Sequence, residues 1–133
     1  MIETAEEFVR LRSSSDPGDY LRAATEEAAE AVWLDIVQTY PEMRFWVAQN
    51  KSVPLSILAV LSTDKDARVR LTVAMKNKLS PELFEVLAGD SEPGIRSQLA
   101  RNKNCPRSIL KTLSIDPMPE VAAVATDRLR QRS

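Results

Sequence analysis

The sequence predicts an all-α fold, a solenoid of short stacked helix pairs, and three observations support this. One segment recurs along the chain, as residues 43–68, 69–94 and 95–120. Asparagine and proline recur inside it, where helices commonly end and begin. The chain holds only 3 Gly and 5% aromatic residues, which argues against an all-β sandwich or a nucleotide-binding α/β fold. A length of 133 residues fits a single domain.

The first helix of each recurring unit consists of an apolar residue, an arginine, and an apolar pair ending in alanine. That spacing places one apolar stripe on a short helix. The members are Met43-Arg44 with Val47-Ala48, Val69-Arg70 with Val73-Ala74, and Ile95-Arg96 with Leu99-Ala100.

An asparagine, a proline, an apolar triad and an aspartate complete each unit. Asparagine tolerates the left-handed backbone that ends many helices. Proline in the first turn of the second helix loses no intrahelical hydrogen bond. The triad is spaced i, i+1, i+4, and aspartate marks the closing turn. The residues are Asn50, Pro54, Ile57-Leu58-Leu61 and Asp64; Asn77, Pro81, Leu83-Phe84-Leu87 and Asp90; and Asn102, Pro106, Ile109-Leu110-Leu113 and Asp116.

Weaker matches extend the pattern to both ends. Residues 19–42 form a slightly shorter, degenerate first repeat. Residues 1–18 are predicted to be an amino-terminal cap and residues 121–133 a carboxy-terminal cap, because terminal repeats need a polar outer side. Arg128, Arg130 and Arg132 indicate a solvated carboxy-terminal end.

The amino-terminal cap is expected to be one helix followed by a loop. Thr4-Ala5-Glu6-Glu7 has the composition of a capping box, and the helix that follows would bury Phe8 and Leu11. Ser13 to Gly18 is predicted to be the loop.

This recurring string of residues resembles the leucine-rich repeat variant family, a bacterial helical-repeat family similar in kind to HEAT and armadillo proteins. The resemblance covers roughly residues 19–128. It implies a right-handed superhelix in which an α-helix is paired with a second, often 3₁₀, helix. Founding members carry an amino-terminal cysteine cluster that holds an iron–sulfur centre, and this chain has no cysteine there. The resemblance therefore implies a fold and a tendency to bind, and no reaction.

The chain lacks the residues that most catalytic and metal sites use. It contains no histidine, the commonest general acid or base and a common metal ligand. Cys105 is the only cysteine, so no internal disulfide and no cysteine-based metal site is expected, and a cytoplasmic location is favoured. The acidic amino terminus and the short longest apolar run, Ile57 to Leu61, predict neither a signal peptide nor a membrane span. We expect no cofactor and no membrane partner.

Basic residues form two rows in the repeat, one of arginines and one of lysines. Residues 1–42 hold 3 basic and 10 acidic side chains, whereas residues 43–133 hold 15 and 9. The basic part favours an acidic partner, either a protein or a nucleic-acid backbone. The rows are Arg44, Arg70 and Arg96, and Lys51, Lys78 and Lys103.

The alternative is that these charges only serve the fold. Arg70 would pair with Asp64 and Arg96 with Asp90, the aspartate that ends the preceding unit. The lysines would only complement a helix dipole. The residues favour this interpretation for the arginines.

Phe45 and Trp46 stand where the other units carry smaller residues. Large aromatics at variable positions are typical of interface anchors. They would alternatively cover the irregular first repeat together with Trp33 and Tyr40.

An enzyme is the least favoured hypothesis. Asp35 lies beside Trp33, and helical-repeat DNA glycosylases use an aspartate and aromatics in a basic cleft. Asp35 and the cluster Glu26, Glu27 and Glu30 are nevertheless typical of a solvated helix face. Cys105, just before a proline, is interpreted as a turn residue rather than a reactive thiol.

The sequence thus predicts a non-enzymatic protein-binding repeat module, an adaptor, scaffold or inhibitor whose partner has an acidic surface. The alternative is binding of a nucleic-acid phosphate backbone through residues 43–133. The sequence leaves the oligomeric state open. The candidate partner-binding residues are Arg44, Phe45, Trp46, Lys51, Arg70, Lys78, Arg96 and Lys103.

Overall fold

The computed structural model describes residues 1–132 and is all-helical over that range, as predicted. Ten α-helices and one 3₁₀ helix occur there, with a single isolated parallel β-bridge between Ile2 and Ala28. The chain divides into two compact units, the first spanning Met1–Leu61 and the second beginning at Ser62. The prediction of a single domain stays a prediction.

The helices of each unit follow the chain as short pairs. The first unit contains α1 (Ala5–Ser13), α2 (Pro17–Thr25), α3 (Glu30–Thr39), the 3₁₀ helix (Pro41–Met43), α4 (Arg44–Gln49) and α5 (Leu55–Leu61). The second unit contains α6 (Ala67–Ala74), α7 (Pro81–Ala88), α8 (Pro93–Arg101), α9 (Arg107–Leu113) and α10 (Pro119–Gln131).

The helix starts recur with the period of the sequence. The second helices α5, α7 and α9 begin at positions 55, 81 and 107, and the 3₁₀ helix, α6, α8 and α10 begin at 41, 67, 93 and 119. The starts within each series are equally spaced along the chain. The second helices are α-helical, and the 3₁₀ helix expected from the family resemblance instead opens a first helix.

The predicted apolar positions form the core of each unit. Val47, Val73 and Leu99 occupy one register, and all three are fully buried. The three second-helix triads are buried as well, as are Phe8 and Leu11 of α1. Burial of these stripes is what the i, i+1, i+4 spacing predicts.

The aspartates turn the chain from one pair into the next. A carboxylate oxygen of Asp90 accepts from the backbone N–H of Glu92 at 2.9 Å, and one of Asp116 accepts from that of Met118 at 2.9 Å. In the same way, a carboxylate oxygen of Asp64 accepts from the backbone N–H of Asp66. Such a local turn orders the residue before the next helix, which begins one position later.

The asparagines end the first helices, but not in the predicted left-handed conformation. No residue from 1 to 132 has a positive φ. Asn50 and Asn102 both have φ −60°, with ψ 133° and 124°. Their backbone is extended because the side chains bind across to the preceding helix pair.

Each asparagine amide donates to two backbone carbonyls at the end of an earlier first helix. Asn102 Nδ2 donates to the oxygens of Ala74 at 3.0 Å and Lys76 at 2.7 Å, and its Oδ1 accepts from the N–H of Asn104. Asn50 makes the equivalent bonds to Ala23 and Glu26. Both side chains are buried, so these amides satisfy carbonyls that the helix ends leave unpaired.

Asn77 does not take this role in the middle unit. It is exposed, and the position equivalent to Asn50 and Asn102 is Lys76. The helix starts keep a constant spacing through this unit, so Asn77 lies one position beyond the register of Asn50 and Asn102.

Proline opens only one of the second helices. Pro81 is the first residue of α7, behind Ser80, whose hydroxyl accepts from the N–H of Leu83. Pro54 and Pro106 lie one position before α5 and α9. The predicted place in the first turn is right for Pro81. Pro54 and Pro106 lie one residue before their helices, at the position that Ser80 occupies in the middle unit.

The amino-terminal cap differs from its prediction in the loop. The N–H of Glu7 donates to Thr4 Oγ1 at 3.0 Å, as in a capping box, but the Glu7 carboxylate reaches back to the N–H of Glu3 rather than that of Thr4. The loop is only residues 14–16, because Asp16 caps α2 and its carboxylate accepts from the N–H of Gly18.

Arg130 and Arg132 are exposed, as expected of a solvated carboxy-terminal end, but Arg128 and Arg132 also bind backbone oxygens of the preceding repeat. Arg128 occupies the register position of Asn102 one repeat later, and it donates to the backbone oxygen of Arg101 at 2.7 Å. Arg132 donates to the oxygens of Cys105 and Lys103. Two guanidinium groups thus bind the carbonyls at the end of α8 and in the turn that follows. Asn102 binds the corresponding carbonyls at the end of α6 and just after it.

We expect Asn102→Ala to lower the free energy of unfolding by about 2 kcal/mol, because it leaves two backbone carbonyls and one N–H without their partner. Urea denaturation followed by circular dichroism measures this loss. Asn77→Ala, an exposed change of the same kind, is the control and is expected to cost less than about 0.5 kcal/mol. Equal losses in the two variants would contradict the bridging role of Asn102.

Candidate functional site

The three predicted arginines all bind protein oxygens, and two of them form ion pairs in the second unit. Arg70 Nε donates to Asp90 Oδ2 at 2.8 Å and its NH1 group donates to the backbone oxygen of Asp64 at 2.7 Å. Arg96 repeats this geometry with Asp116 and the backbone oxygen of Asp90. The two arginine side chains are only 14% and 13% exposed. These guanidinium groups therefore face protein oxygens rather than a partner.

This pairing corrects one prediction in detail. The carboxylate partner of each arginine is the aspartate that ends its own unit, not the one that ends the preceding unit. The preceding aspartate contributes its backbone carbonyl instead. Hydrogen bonding to the carboxylate raises the pKa of Arg70 and of Arg96, and the bond from Arg96 lowers the pKa of Asp116.

Arg44 occupies the same register in the first unit. Its Nε donates to the backbone oxygen of Val37 at 2.8 Å, and the side chain is half-buried. Its contact with the end of α3 therefore serves the fold, as do the contacts of the other two arginines.

The three predicted lysines are exposed, each in the turn after a first helix. Lys78 and Lys103 belong to the second unit, and Lys51 to the first. Lys51 differs from the others because it borders a pocket.

The Trp46 pocket is a cavity of about 330 Å³ in the first unit. Its wall combines the last turn of α1, the middle of α2, the end of α4 and the turn after it. The lining residues are Arg12, Tyr20, Ala23, Ala24, Trp46, Gln49 and Lys51.

Local sequence explains why these side chains meet. α1 buries Leu11 in the core, which leaves Arg12 at the edge of the unit. α4 buries Val47 and Ala48, so that Trp46, the preceding residue, is only half-buried. The short side chains of α2 at this point, two alanines, leave the space that becomes the cavity.

A cation stacked on aromatic rings forms the centre of the Trp46 pocket. The guanidinium carbon of Arg12 lies 3.5 Å from the ring centroid of Trp46 and 4.8 Å from that of Tyr20. The ring of Phe45 meets Trp46 edge to face, with centroids 5.0 Å apart. These contacts hold the guanidinium by attraction to the negative faces of the two rings.

The Arg12 guanidinium has no hydrogen-bond or ion-pair partner among residues 1–132, and its Nε is buried. The ammonium of Lys51, also in the lining, has no ion pair within that range either. No acidic residue of the described chain lines the Trp46 pocket. An unpaired cation in a partly buried site is a donor available to an anionic ligand.

The structure brings together only part of the predicted set. Trp46 and Lys51 both line the pocket, and the Phe45 ring packs edge to face against Trp46. Arg44 binds the backbone oxygen of Val37 near the end of α3, and the four remaining residues lie in the second unit, two of them in ion pairs.

Sequence reasoning missed Arg12 and Tyr20. Arg12 lies in the predicted amino-terminal cap, and no repeat pattern marks it. Tyr20 of the degenerate first repeat holds the position that Arg44 holds in the next unit, so the replacement of that arginine by an aromatic residue was the available signal.

The aromatics of the first unit lie in separate environments. Trp33 is fully buried and meets Phe8 edge to face at 5.7 Å, and the Tyr40 hydroxyl donates to a carboxylate oxygen of Glu6. The ring and cation contacts of Trp46 are with Phe45 and Arg12. This geometry therefore does not favour the interpretation that Trp46 covers the first repeat together with Trp33 and Tyr40.

The catalytic candidates Asp35, Glu26 and Cys105 have contacts or burial typical of structural residues. Asp35 is exposed and accepts from the Thr39 hydroxyl at 2.9 Å. Glu26 is bound by Arg22, which together with the amino-terminal ammonium lowers its pKa to about 2. Burial raises the pKa of the Cys105 thiol to about 11, which disfavours the reactive thiolate at neutral pH.

No group of three or more acidic or cysteine side chains within residues 1–132 is placed to hold a metal ion. Within the same range, every helix is too short or too polar to cross a bilayer.

Neither a protein-family model, nor a curated protein, nor a solved structure matches this chain.

We expect Asp116→Asn to lower the free energy of unfolding by about 3 kcal/mol at pH 7, because it leaves the buried Arg96 charge without its carboxylate. The folded-state pKa of Asp116 is below the ordinary 3.8, so its contribution is complete above that value and is lost as the pH falls further. The difference between variant and wild type should therefore shrink from pH 7 to pH 3 in urea denaturation. Asp127→Asn, at an exposed position of α10, is the control and should show little difference at either pH. A loss at Asp116 that does not depend on pH would contradict the ion pair as its cause.

Proposed function

We propose that the chain is a non-enzymatic protein-binding repeat module, acting as an adaptor, scaffold or inhibitor, and that it holds an acidic partner protein at the Trp46 pocket. The observation that carries this proposal is the clustering of Arg12, Tyr20 and Trp46 around one cavity. Arginine, tyrosine and tryptophan are the residue types that supply most hot-spot binding energy at protein interfaces.

The environment of these residues supports the same interpretation. Tyr20 is 39% exposed and Trp46 is half-buried, so both keep surface for a partner while the Arg12 guanidinium contacts both rings. Two cations without ion pairs within residues 1–132 flank that surface. A partly rigid aromatic platform beside unpaired positive charge complements an acidic protein surface.

We further infer that the helix pairs stack as the right-handed solenoid of the leucine-rich repeat variant type. The equal spacing of the helix starts and the recurrence of the asparagine and arginine bonds support this. In such a scaffold the buried repeated residues maintain the stack, and binding is carried by exposed surface residues.

Nucleic-acid binding through residues 43–133 is the alternative, and the three exposed lysines favour it. Pairing of Arg70 and Arg96 leaves the net charge of that segment unchanged. It does, however, take two arginines out of the row that would contact successive phosphates. The alternative therefore depends on the lysines and the unpatterned basic residues.

Titration with short duplex DNA and RNA at about 50 and about 200 mM salt separates the two functions. We expect no retarded complex in a gel at either salt concentration. A complex at low salt that is lost steeply at high salt would support the nucleic-acid alternative, because phosphate contacts release counterions.

Photo-crosslinking tests the protein-binding function directly. Benzoylphenylalanine placed at Gln49, an exposed residue of the pocket wall, should form light-dependent protein adducts in cells that produce this chain. Adducts should be lost when Trp46→Ala is added. The same probe at Ile115, which is exposed and lies in the second unit, is the control for unspecific labelling. Adducts at Gln49 that survive Trp46→Ala, or that are also formed at Ile115, would contradict binding at this pocket.

A further inference from the structure

We propose that the Trp46 pocket binds a carboxylate side chain of a peptide segment of the partner, flanked there by apolar residues. This inference rests on the protein-binding function and adds the chemistry of the ligand. Arg12 and Lys51 would bind the carboxylate, and the rings of Trp46 and Tyr20 would contact the neighbouring apolar side chain.

The first step of the argument is the unsatisfied hydrogen-bonding capacity of Arg12. A guanidinium has five N–H donors and normally meets a carboxylate or several carbonyls, as Arg70 and Arg96 do here. The Arg12 guanidinium instead stacks on two ring faces, which hold the charge but do not accept its N–H groups in the plane of the guanidinium. Its terminal N–H groups are therefore free for a planar, two-oxygen acceptor, and a carboxylate has that shape.

The second step is that few basic residues remain unpaired in the first unit. Residues 1–61 hold 10 acidic and 5 basic side chains. Among the basic ones, Arg22 pairs with Glu7 and Glu26, and Arg44 donates to a backbone oxygen. Two of the other three, Arg12 and Lys51, line the same cavity. Positive charge is thus concentrated at this pocket in a unit that is otherwise acidic.

The third step concerns the kind of anion. A polyanion such as a nucleic-acid backbone or an anionic membrane would bring many charges close to the ten acidic residues of this unit and be repelled. A single carboxylate next to apolar residues avoids that repulsion. It also matches a wall in which two alanines and two aromatic rings accompany the two cations.

Selection from random peptides displayed on phage tests the inference with the full chain. Wild type should enrich peptides carrying Asp or Glu next to an apolar residue by about tenfold, the value of a charge-assisted hydrogen bond. Arg12→Gln and, independently, Lys51→Gln should lose this enrichment. Arg10→Gln removes the same charge from the same helix outside the pocket, so it is the matched control and should keep the enrichment. Circular dichroism of each variant verifies that it is folded.

A selected peptide is then titrated while tryptophan fluorescence is recorded, since Trp33 is fully buried and Trp46 is the ring at the pocket. Its affinity should fall about tenfold when the acidic residue is replaced by its amide. A short oligothymidylate should leave the signal unchanged, and a saturating change with it would overturn the proposal in favour of a phosphate ligand.

The outcomes separate this inference from the function on which it rests. Selection of peptides without acidic residues, whose binding requires Trp46 but not Arg12, would overturn the carboxylate ligand and leave the protein-binding function in place. Absence of any selected peptide, together with absence of photo-adducts at Gln49, would overturn both.

Discussion

The carbonyl groups at the end of a helix have no intrahelical partner, and the regularity of each unit depends on how the next repeat satisfies those at the ends of α2, α6 and α8. Asn50 and Asn102 do so with one amide group each, and Arg128 repeats the contact with a guanidinium. These donors come from the end of the following first helix or just after it, at equivalent positions of the repeat. A shift of one residue would leave buried carbonyls unpaired, at a cost of about 1–3 kcal/mol for each. The spacing of these donors along the sequence is therefore required by the hydrogen bonds that they make.

The arginine–aspartate pairs add a second constraint at the same period. Arg70 and Arg96 each join the backbone of one aspartate to the carboxylate of the next, in a nearly dry environment. Asp90 and Asp116 thus have two duties, since each also caps the turn that starts the following helix. The recurring arginines and aspartates are thus part of the scaffold. The proposed site lies instead where the repeat is interrupted, since Tyr20 occupies such a position in the degenerate first repeat.

Much of the fold could be derived from the sequence because its rules are local. Apolar residues at i, i+1 and i+4 need only one helix to define a buried stripe, and Thr4 and Pro81 act on the backbone close to themselves. Local rules were less accurate where a side chain had a distant partner. Asn50 looked like a left-handed helix terminator, but its backbone is extended because the side chain reaches the carbonyls of Ala23 and Glu26, far back along the chain.

The candidate site shows the same division between sequence and tertiary structure. The sequence by itself determined that Trp46 is an unusual aromatic residue, that Lys51 follows a helix end, and that the arginines share one register. Only the tertiary structure decided that Arg70 and Arg96 are neutralised within the second unit and that Arg12, on another helix and distant in the chain, stacks on the ring of Trp46. A repeat pattern records which positions are equivalent along the chain. It does not record which non-repeated side chains meet in space, because that depends on how α1, α2 and α4 pack against each other.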